Sequence, residues 1–528
     1  MKFFDKFRKI LGIEVREANN IIEYEAFKNV YVRRKVKDNQ KYLQEILSNA
    51  ADIVYREFVI GAAQQHLLMV FVDGMVEKKL IGEQVLKSLM VELNEATYRE
   101  VFTIEEIKNR LVSTAEIREA ETFDTLMLAL MSGDTLIFAE GSAHGLIIGS
   151  KGWESRGVSE PTTEKAVKGP KDCFIETFRS NIVLIRRRIR DPNLAVEVLQ
   201  IGRRTKTDVA IVYIKGVLNP EIAEEIKRRI QAVDIDGITD SSQLEELIAG
   251  HPWTIFPLGR ITERPDKVTA ALLEGRAAIV VDGSPFVLIV PVTFSTFLSA
   301  VDDYYQRSIV ASTIRLTRYL SFYISAALPG LYLALVSFHP GMIPPPLALA
   351  IVGTRVALPF PSFVEMILME TVLEILQEAG IRLPQAIGQT VSIVGGIVIG
   401  QAAVQAGVVS PIIVIIVALT AITSFTLPSY HINLSSRILR MPFILVGATL
   451  GFYGIVILSL FVLLHMASLT SFGVGYLEDF SPYRIRDFKD IFIRVPMKLM
   501  RKRPEFLKPE DTQRQVDRKK MKEKTDDQ

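Results

Sequence analysis

PFILVGATLGFYGIVILSLFVLLHMASL, residues 442–469, contains no Asp, Glu, Lys or Arg. About 20 apolar residues in helical form cross the ~30 Å hydrocarbon core of a bilayer, so this stretch predicts a membrane span. Working outward, residues 320–338, 391–406 and 412–427 predict three more. There is no lysine between Lys267 and Lys489, and between Glu378 and Glu478 the charged residues are Arg382, Arg437 and Arg440. The overall composition, 49% hydrophobic and 23% charged with net charge +2, hides this division. Upstream of about residue 310 the chain is densely charged. The sequence therefore predicts a soluble α/β (α+β) N-terminal half and an all-α polytopic membrane domain.

The soluble half repeats itself. HLLMVFVDG (66–74) and DVAIVYIKG (208–216) are apolar strand patterns ending in glycine, each followed by a helical pattern. TLMLALMSGDTLIFAEG (125–141) matches KVTAALLEGRAAIVVDG (267–283). Gly74 and Gly216, Gly133 and Gly275, and Gly141 and Gly283 are each 142 residues apart. Apolar strands follow, GLIIG at 145–149 and FVLIV at 286–290. The unit reads strand, helix, spacer, helix, then two strands joined across a glycine turn. The predicted organisation is an N-terminal segment (1–36), a first α/β subdomain (37–150), a linker with a helix (151–204), a second α/β subdomain (205–310), a transmembrane domain of four to six segments (311–475) and a basic cytoplasmic tail (476–528). The linker helix ends in Arg186, Arg187, Arg188 and Arg190, read either as a solvated helix end or as a contact for anionic headgroups.

Two groups of residues stand out in the membrane half. Gln385, Gln389, Ser392, Gly396, Gly400, Ala403 and Gly407 recur at spacings of three and four, which puts small and polar side chains on one helix face. Such a face serves close helix packing or lines a pore. Arg355 and the carboxylates Glu365, Glu370 and Glu374 lie between residues 344 and 383, a proline-interrupted stretch read as re-entrant, interfacial or a broken span. Ionisable groups there are candidates for a polar cavity or ion path. Arg315 and Arg318 precede the first span and, with the basic tail, place the soluble half on the cytoplasmic side. In a four-span count Arg437 and Arg440 fall on the outer side, against that rule.

Several classes are disfavoured. The single cysteine, Cys173, cannot form an internal disulfide or a multi-thiolate metal site. His66, His144, His251, His339, His431 and His465 are scattered without ligand spacing, and no phosphate-loop, zinc-protease or hydrolase motif is found. No enzyme activity, metal or cofactor is expected, and no nucleic-acid motif appears. Residues 1–15 mix Phe3, Phe4, Phe7, Ile10 and Leu11 with basic side chains; they read as an amphipathic helix, on the membrane or on its own domain, with no signal peptide.

RGVSEPTTEKAVKGPKDCFIETFRSNIVLIRRRI (156–189), LPGLYLALVSFHPGMIPPPL (328–347), the run from Arg355 through Ile415, and SFGVGYL (471–477) together resemble the A subunits of GerA-type spore germination receptors. The stage V sporulation A-operon membrane subunit is a related protein with the same membrane signature. The resemblance implies a receptor in the spore inner membrane. It would work beside a transporter-like B subunit and a lipoprotein C subunit, and assemble as a homo-oligomer into a nutrient-gated cation channel. The alternatives are an accessory spore channel, a membrane-anchored scaffold and a secondary transporter.

Overall fold

The computed structural model describes residues 27, 29–61, 63–92, 101–110, 116–152, 161, 164, 168–356, 358–382, 399–480 and 487–515. The chain separates into two compact units. The first comprises 1–249, 259–291 and 500–528, and the second 250–258 and 292–499.

The first unit holds two five-stranded antiparallel sheets. In chain order its elements are α1 (Val36–Ile46), β1 (Ile53–Ile60), β2 (Gln65–Val72), α2 (Ile104–Arg110), β3 (Ile117–Ala120), α3 (Phe123–Met131), β4 (Thr135–Ala139) and β5 (Gly145–Ile148). There follow α4 (Phe178–Arg186), β6 (Leu194–Ile201), β7 (Thr207–Ile214), α5 (Pro220–Gln231), α6 (Ser241–Ile248), β8 (Arg260–Thr262), α7 (Pro265–Glu274), β9 (Ala277–Val281) and β10 (Val287–Val290). The sheet orders are β1-β2-β4-β5-β3 and β6-β7-β9-β10-β8, the same topology twice.

The glycines explain why the repeat is visible in sequence. All six spaced at 142 residues have positive φ: +83° at Gly74, +93° at Gly133, +90° at Gly141, +75° at Gly216, +98° at Gly275 and +79° at Gly283. Gly133 and Gly275 end equivalent helices, where a Cβ would lie 3.2 Å from the Met75 and Val217 carbonyl oxygens respectively. Left-handed backbone and close approach both exclude larger residues. β2 is apolar on both faces because helices cover both: Leu68, Val70 and Val72 pack with α3, and Leu67 and Met69 pack into a second core with Val85 and Ile107.

Two sequence expectations change here. α4 stands in the second sheet at the position α1 holds in the first, and β6 begins at Leu194, so the second copy starts well before residue 205. Arg186 is neither a solvated helix end nor a lipid contact. It is fully buried and bonds Asp52 of the first copy twice, Nε to Oδ2 at 2.9 Å and Nη2 to Oδ1 at 2.8 Å, with Nη1 on the Leu194 carbonyl at 3.1 Å. Arg188 pairs with Asp172, while Arg187 and Arg190 are exposed. The copies also meet edge to edge: Val196 N–H donates to the Asn49 carbonyl at 2.7 Å, and Ala51 N–H to the Val196 carbonyl at 3.1 Å. Part of the expected basic tail belongs to this unit. Asp511 N–H donates to the Gly216 carbonyl, and Arg503 Nε to the Leu273 carbonyl.

Charge in this unit predicts an acid transition. Hydrogen bonds from Arg228 and then Arg229 hold Glu225 down to about 2. Burial opposes ionisation of Glu197, yet Tyr213, Lys227 and Asn49 together hold it below the ordinary carboxylate range. Because these folded values lie below the unfolded ones, the stability they confer is complete above the unfolded value. It is lost as pH falls through the folded one. Acid titration of the full chain in detergent, followed by circular dichroism, should show stability declining below pH ~4.5, and Glu225→Gln should shallow that decline. An unchanged slope in the variant would contradict the assignment.

Candidate functional site: buried charges in the helical unit

The second unit is built on α8 (Ser308–Phe338), α9 (Pro345–Arg355), α10 (Ser362–Arg382), a turn of helix at 399–405, α11 (Pro411–Phe425) and α12 (Tyr430–Ser468). α8 and α12 are long and apolar enough to cross a membrane; α11 is apolar but shorter. Of the spans expected from sequence, the first half of the one at 391–406, residues 391–398, lies outside the described residues.

α12 is not one rod. Gly451 has φ +62° and ψ −146°, a conformation essentially restricted to glycine. Ser435 Oγ donates to the Ile255 carbonyl at 2.5 Å, and His465 Nε2 lies 3.1 Å from Thr254 Oγ1. Residues 435 and 465 of a straight helix would stand about 45 Å apart, so the two halves must fold back on each other. Neighbours agree. Ser325, Gly330 and Phe338 of α8 meet Arg440, Gly447 and Gly451 in rising order. His339 meets Phe452 and Tyr323 meets Ser459 in the opposite order. The predicted single span 442–469 is thus a helical hairpin turned at Gly451.

Three carboxylates of α10, Glu365, Glu370 and Glu374, are bonded into this bundle. Glu365 is fully buried; its Oε2 accepts from Ser410 N–H at 2.8 Å at the start of α11, and its Oε1 lies 4.0 Å from Arg355 Nε. Glu370 Oε2 accepts from Arg440 Nη1 at 2.7 Å, and Arg440 Nε donates to the Ser325 carbonyl at 2.9 Å. Glu374 pairs with Arg437, Nε to Oε1 at 3.2 Å. Glu370 and Glu374, four apart, share the helix face turned to α12. Both Arg440 and Glu370 are buried, and each keeps one polar atom (Nη2 and Oε1) without a hydrogen-bond partner among the described residues; so does Glu365 Oε1. The arrangement is a chain of compensated charges with spare buried donors and acceptors. It can order water or a small ion, and no group of three or more His, Cys, Asp or Glu among the described residues is placed to hold a metal ion.

Arg437 and Arg440 are the residues that sequence reasoning left out of the site. The signal was present, since two arginines three apart in an apolar helix complement two glutamates four apart in another, and charges in such helices pair inward. Arg315 and Arg318, in the first turns of α8, are paired as well. Arg315 bonds Asp303 at 2.9 Å and Asp490 at 2.7 Å, and Arg318 bonds Asp303 at 2.8 Å. Both are buried members of ion pairs.

The small-residue stripe is only partly within the described residues, because Gln385, Gln389, Ser392 and Gly396 lie outside them. Gly400 packs towards α11, where a Cβ would lie 3.2 Å from Val414 Cγ1. Ala403 is part of the same apolar cluster. Gly407 does not continue the face. It ends the helix with φ +64°, and Val408 N–H returns to the Ala403 carbonyl at 2.9 Å.

The chain thus joins a duplicated α/β unit to a helical unit that holds buried ion pairs and two helices long and apolar enough to cross a membrane. The profile of the Bacillus/Clostridium GerA spore germination protein family matches residues 41–506, and the chain belongs to that family. Spore germination protein KA of Bacillus subtilis (strain 168) is 42% identical over 470 residues, covering 89% of this chain and 86% of that protein. Spore germination protein B1 of the same strain is 40% identical over 487 residues, covering 91% and 99%. Spore germination protein GerLA of Bacillus cereus is 38% identical over 472 residues, covering 89% and 95%. The solved N-terminal domain of the A subunit of the Bacillus megaterium spore germinant receptor GerK3 is 33% identical, covering 50% of this chain and 97% of that domain, with a TM-score of 0.41.

Proposed function

We propose that the chain is the A subunit of a nutrient germinant receptor in the spore inner membrane, and that several copies of its helical unit form a nutrient-gated channel for monovalent cations. It acts beside a transporter-like B subunit and a lipoprotein C subunit, with the soluble unit on the cytoplasmic side. α8, α10, α11 and the two halves of α12 are membrane segments in this reading. The observation that carries it is the row of charges Arg355, Glu365, Glu370 and Glu374 with Arg437 and Arg440, of which Glu365, Glu370 and Arg440 are buried. Charges are costly in a bilayer and are retained where they serve an ion path or hold helices that gate one. The family supports a role in germination.

The test is cation release from spores on nutrient addition, with Glu365→Gln replacing the native residue. Release should slow at least about tenfold, the effect of ~1.4 kcal/mol on a barrier. Normal release with normal protein level would remove Glu365 and its neighbours from the path. The hairpin has its own test: single cysteines at the exposed Tyr430 and Ser468, in a Cys173→Ser background, should react with an impermeant maleimide from the same side of the membrane. Labelling from opposite sides would contradict the turn at Gly451.

A further inference from the structure

We infer that Trp253 is a lipid anchor: the loop at residues 250–258 holds its indole at the boundary between headgroups and hydrocarbon. The inference rests on α12 lying in the membrane and not on conduction.

In sequence, residues 250–258 fall between α6 and β8, yet they belong to the helical unit. Contacts to both legs of α12, and to the chain just after it, fix the loop. The Ile255 carbonyl accepts from Ser435 Oγ at 2.5 Å, and Thr254 Oγ1 lies 3.1 Å from His465 Nε2. The Leu258 carbonyl accepts from Ser471 Oγ at 2.7 Å. Phe256 is buried, its ring centroid 6.1 Å from those of His465 and Tyr476, and its N–H donates to Thr254 Oγ1 at 3.2 Å.

Trp253 adjoins these contacts and is 97% exposed, more than any other large apolar side chain among the described residues. Tryptophan has a large apolar body and a single N–H donor, so it is highly buried on average. Here a bonded loop holds it out. From Ala249 through Gly259 the chain has no Asp, Glu, Lys or Arg, so no charge opposes contact with lipid.

The place of the loop says what covers the indole. Residues 452–468 of α12 rise about 25 Å as helix, close to the ~30 Å thickness of the hydrocarbon core. Gly451 stands at one end of that leg, so the loop bound to His465 stands near the other. Ile457, Leu460, Phe461 and Leu464 of the same leg are exposed apolar side chains, and this surface runs up to the neighbour of His465. Beyond the hydrocarbon the headgroup layer is about 5–8 Å thick. Trp253 is one residue from the contact to His465, which puts its indole within reach of that layer. Tryptophan and tyrosine concentrate at this depth, with the ring against acyl carbons and the N–H or O–H among polar groups. Tyr430, exposed in the first turn of the other leg, is a second such aromatic at the open end of the hairpin.

The chain has two tryptophans, so Trp153→Phe (or Trp153→Tyr, should the first not fold) leaves Trp253 as the only indole. The full-length variant is placed in vesicles of phosphatidylglycerol and phosphatidylethanolamine whose acyl chains carry bromine either near the headgroup or near the chain end. Shallow bromines should lower Trp253 emission at least about twofold and deep ones much less, as for an interfacial indole. Trp153→Phe/Trp253→Phe/Ile457→Trp moves the indole two turns into the second leg of α12 and reports the membrane position of that leg separately. Quenching at position 457 without quenching of Trp253 would overturn the inference and leave α12 in the membrane. A blue-shifted, unquenched Trp253 would show that protein covers it, which overturns the inference equally. Quenching at neither position would remove α12 from the membrane and the anchor with it.

Discussion

Gly447→Ala yields a helical unit that no longer folds to its native packing, although it adds one methyl group. A Cβ at this position would lie 2.2 Å from the Gly330 carbonyl oxygen and 2.9 Å from the Gly330 Cα. The contact is reciprocal, because a Cβ on Gly330 would lie 2.2 Å from the Phe443 carbonyl. The partners are backbone atoms of α8 and α12, so neither side can move away by changing rotamer. The helices must separate along their longest shared contact. Apolar helices in lipid associate through such close packing, since burial of apolar surface drives them little. The cost should exceed ~3 kcal/mol, the upper end for ordinary overpacking. Thermal unfolding in detergent, with the monodisperse fraction after purification, measures it. Gly353→Ala is the control: a Cβ there meets nothing within 4 Å, and within α9 alanine should be neutral or stabilising by up to ~1 kcal/mol. Equal behaviour of the two variants would show that α8 and α12 do not pack as described.

The second large effect concerns Glu370 and Arg440. Removing one member of a buried ion pair leaves the other charged, desolvated and unpaired, at a cost of about 3–5 kcal/mol, whereas replacing both by apolar groups is often neutral or stabilising. Glu370→Gln and Arg440→Met should each destabilise strongly. Glu370→Leu/Arg440→Met should recover most of the loss, although the Ser325 carbonyl then loses its donor. The same double variant separates structure from conduction. If the pair only holds α10 to α12, the stable double variant still supports cation release; under the proposed function it is stable and does not.

Sequence and structure agree best where backbone constraint is strong. The paired glycines marked both copies because each sits at positive φ, and the strands at 66–74 and 208–216 were legible because both faces are buried. The edge strands were not. β1 reads IVYREFVI and β3 reads IREA, and strands half open to solvent carry charges that blur their period. α4 passed as linker because it follows a stretch rich in Pro and Gly, although its 142-residue spacing from α1 was available. In the helical unit, hydropathy marked residues 442–469 as one span because a window average does not see a single Gly451 in a strained conformation. The glutamates of α10 were found by their oddity in an apolar context. Their partners Arg437 and Arg440 were assigned to the outer side because a count of spans took the place of a count of charges to be compensated.

Cation flux from liposomes containing the purified chain, alone and with its B and C subunits, in the presence and absence of nutrient, tests the proposed channel most directly. A channel subunit should give nutrient-dependent monovalent cation flux once the assembly is complete, reduced at least about tenfold by Glu365→Gln. Assembled complexes that bind nutrient yet leave the liposomes sealed would contradict it.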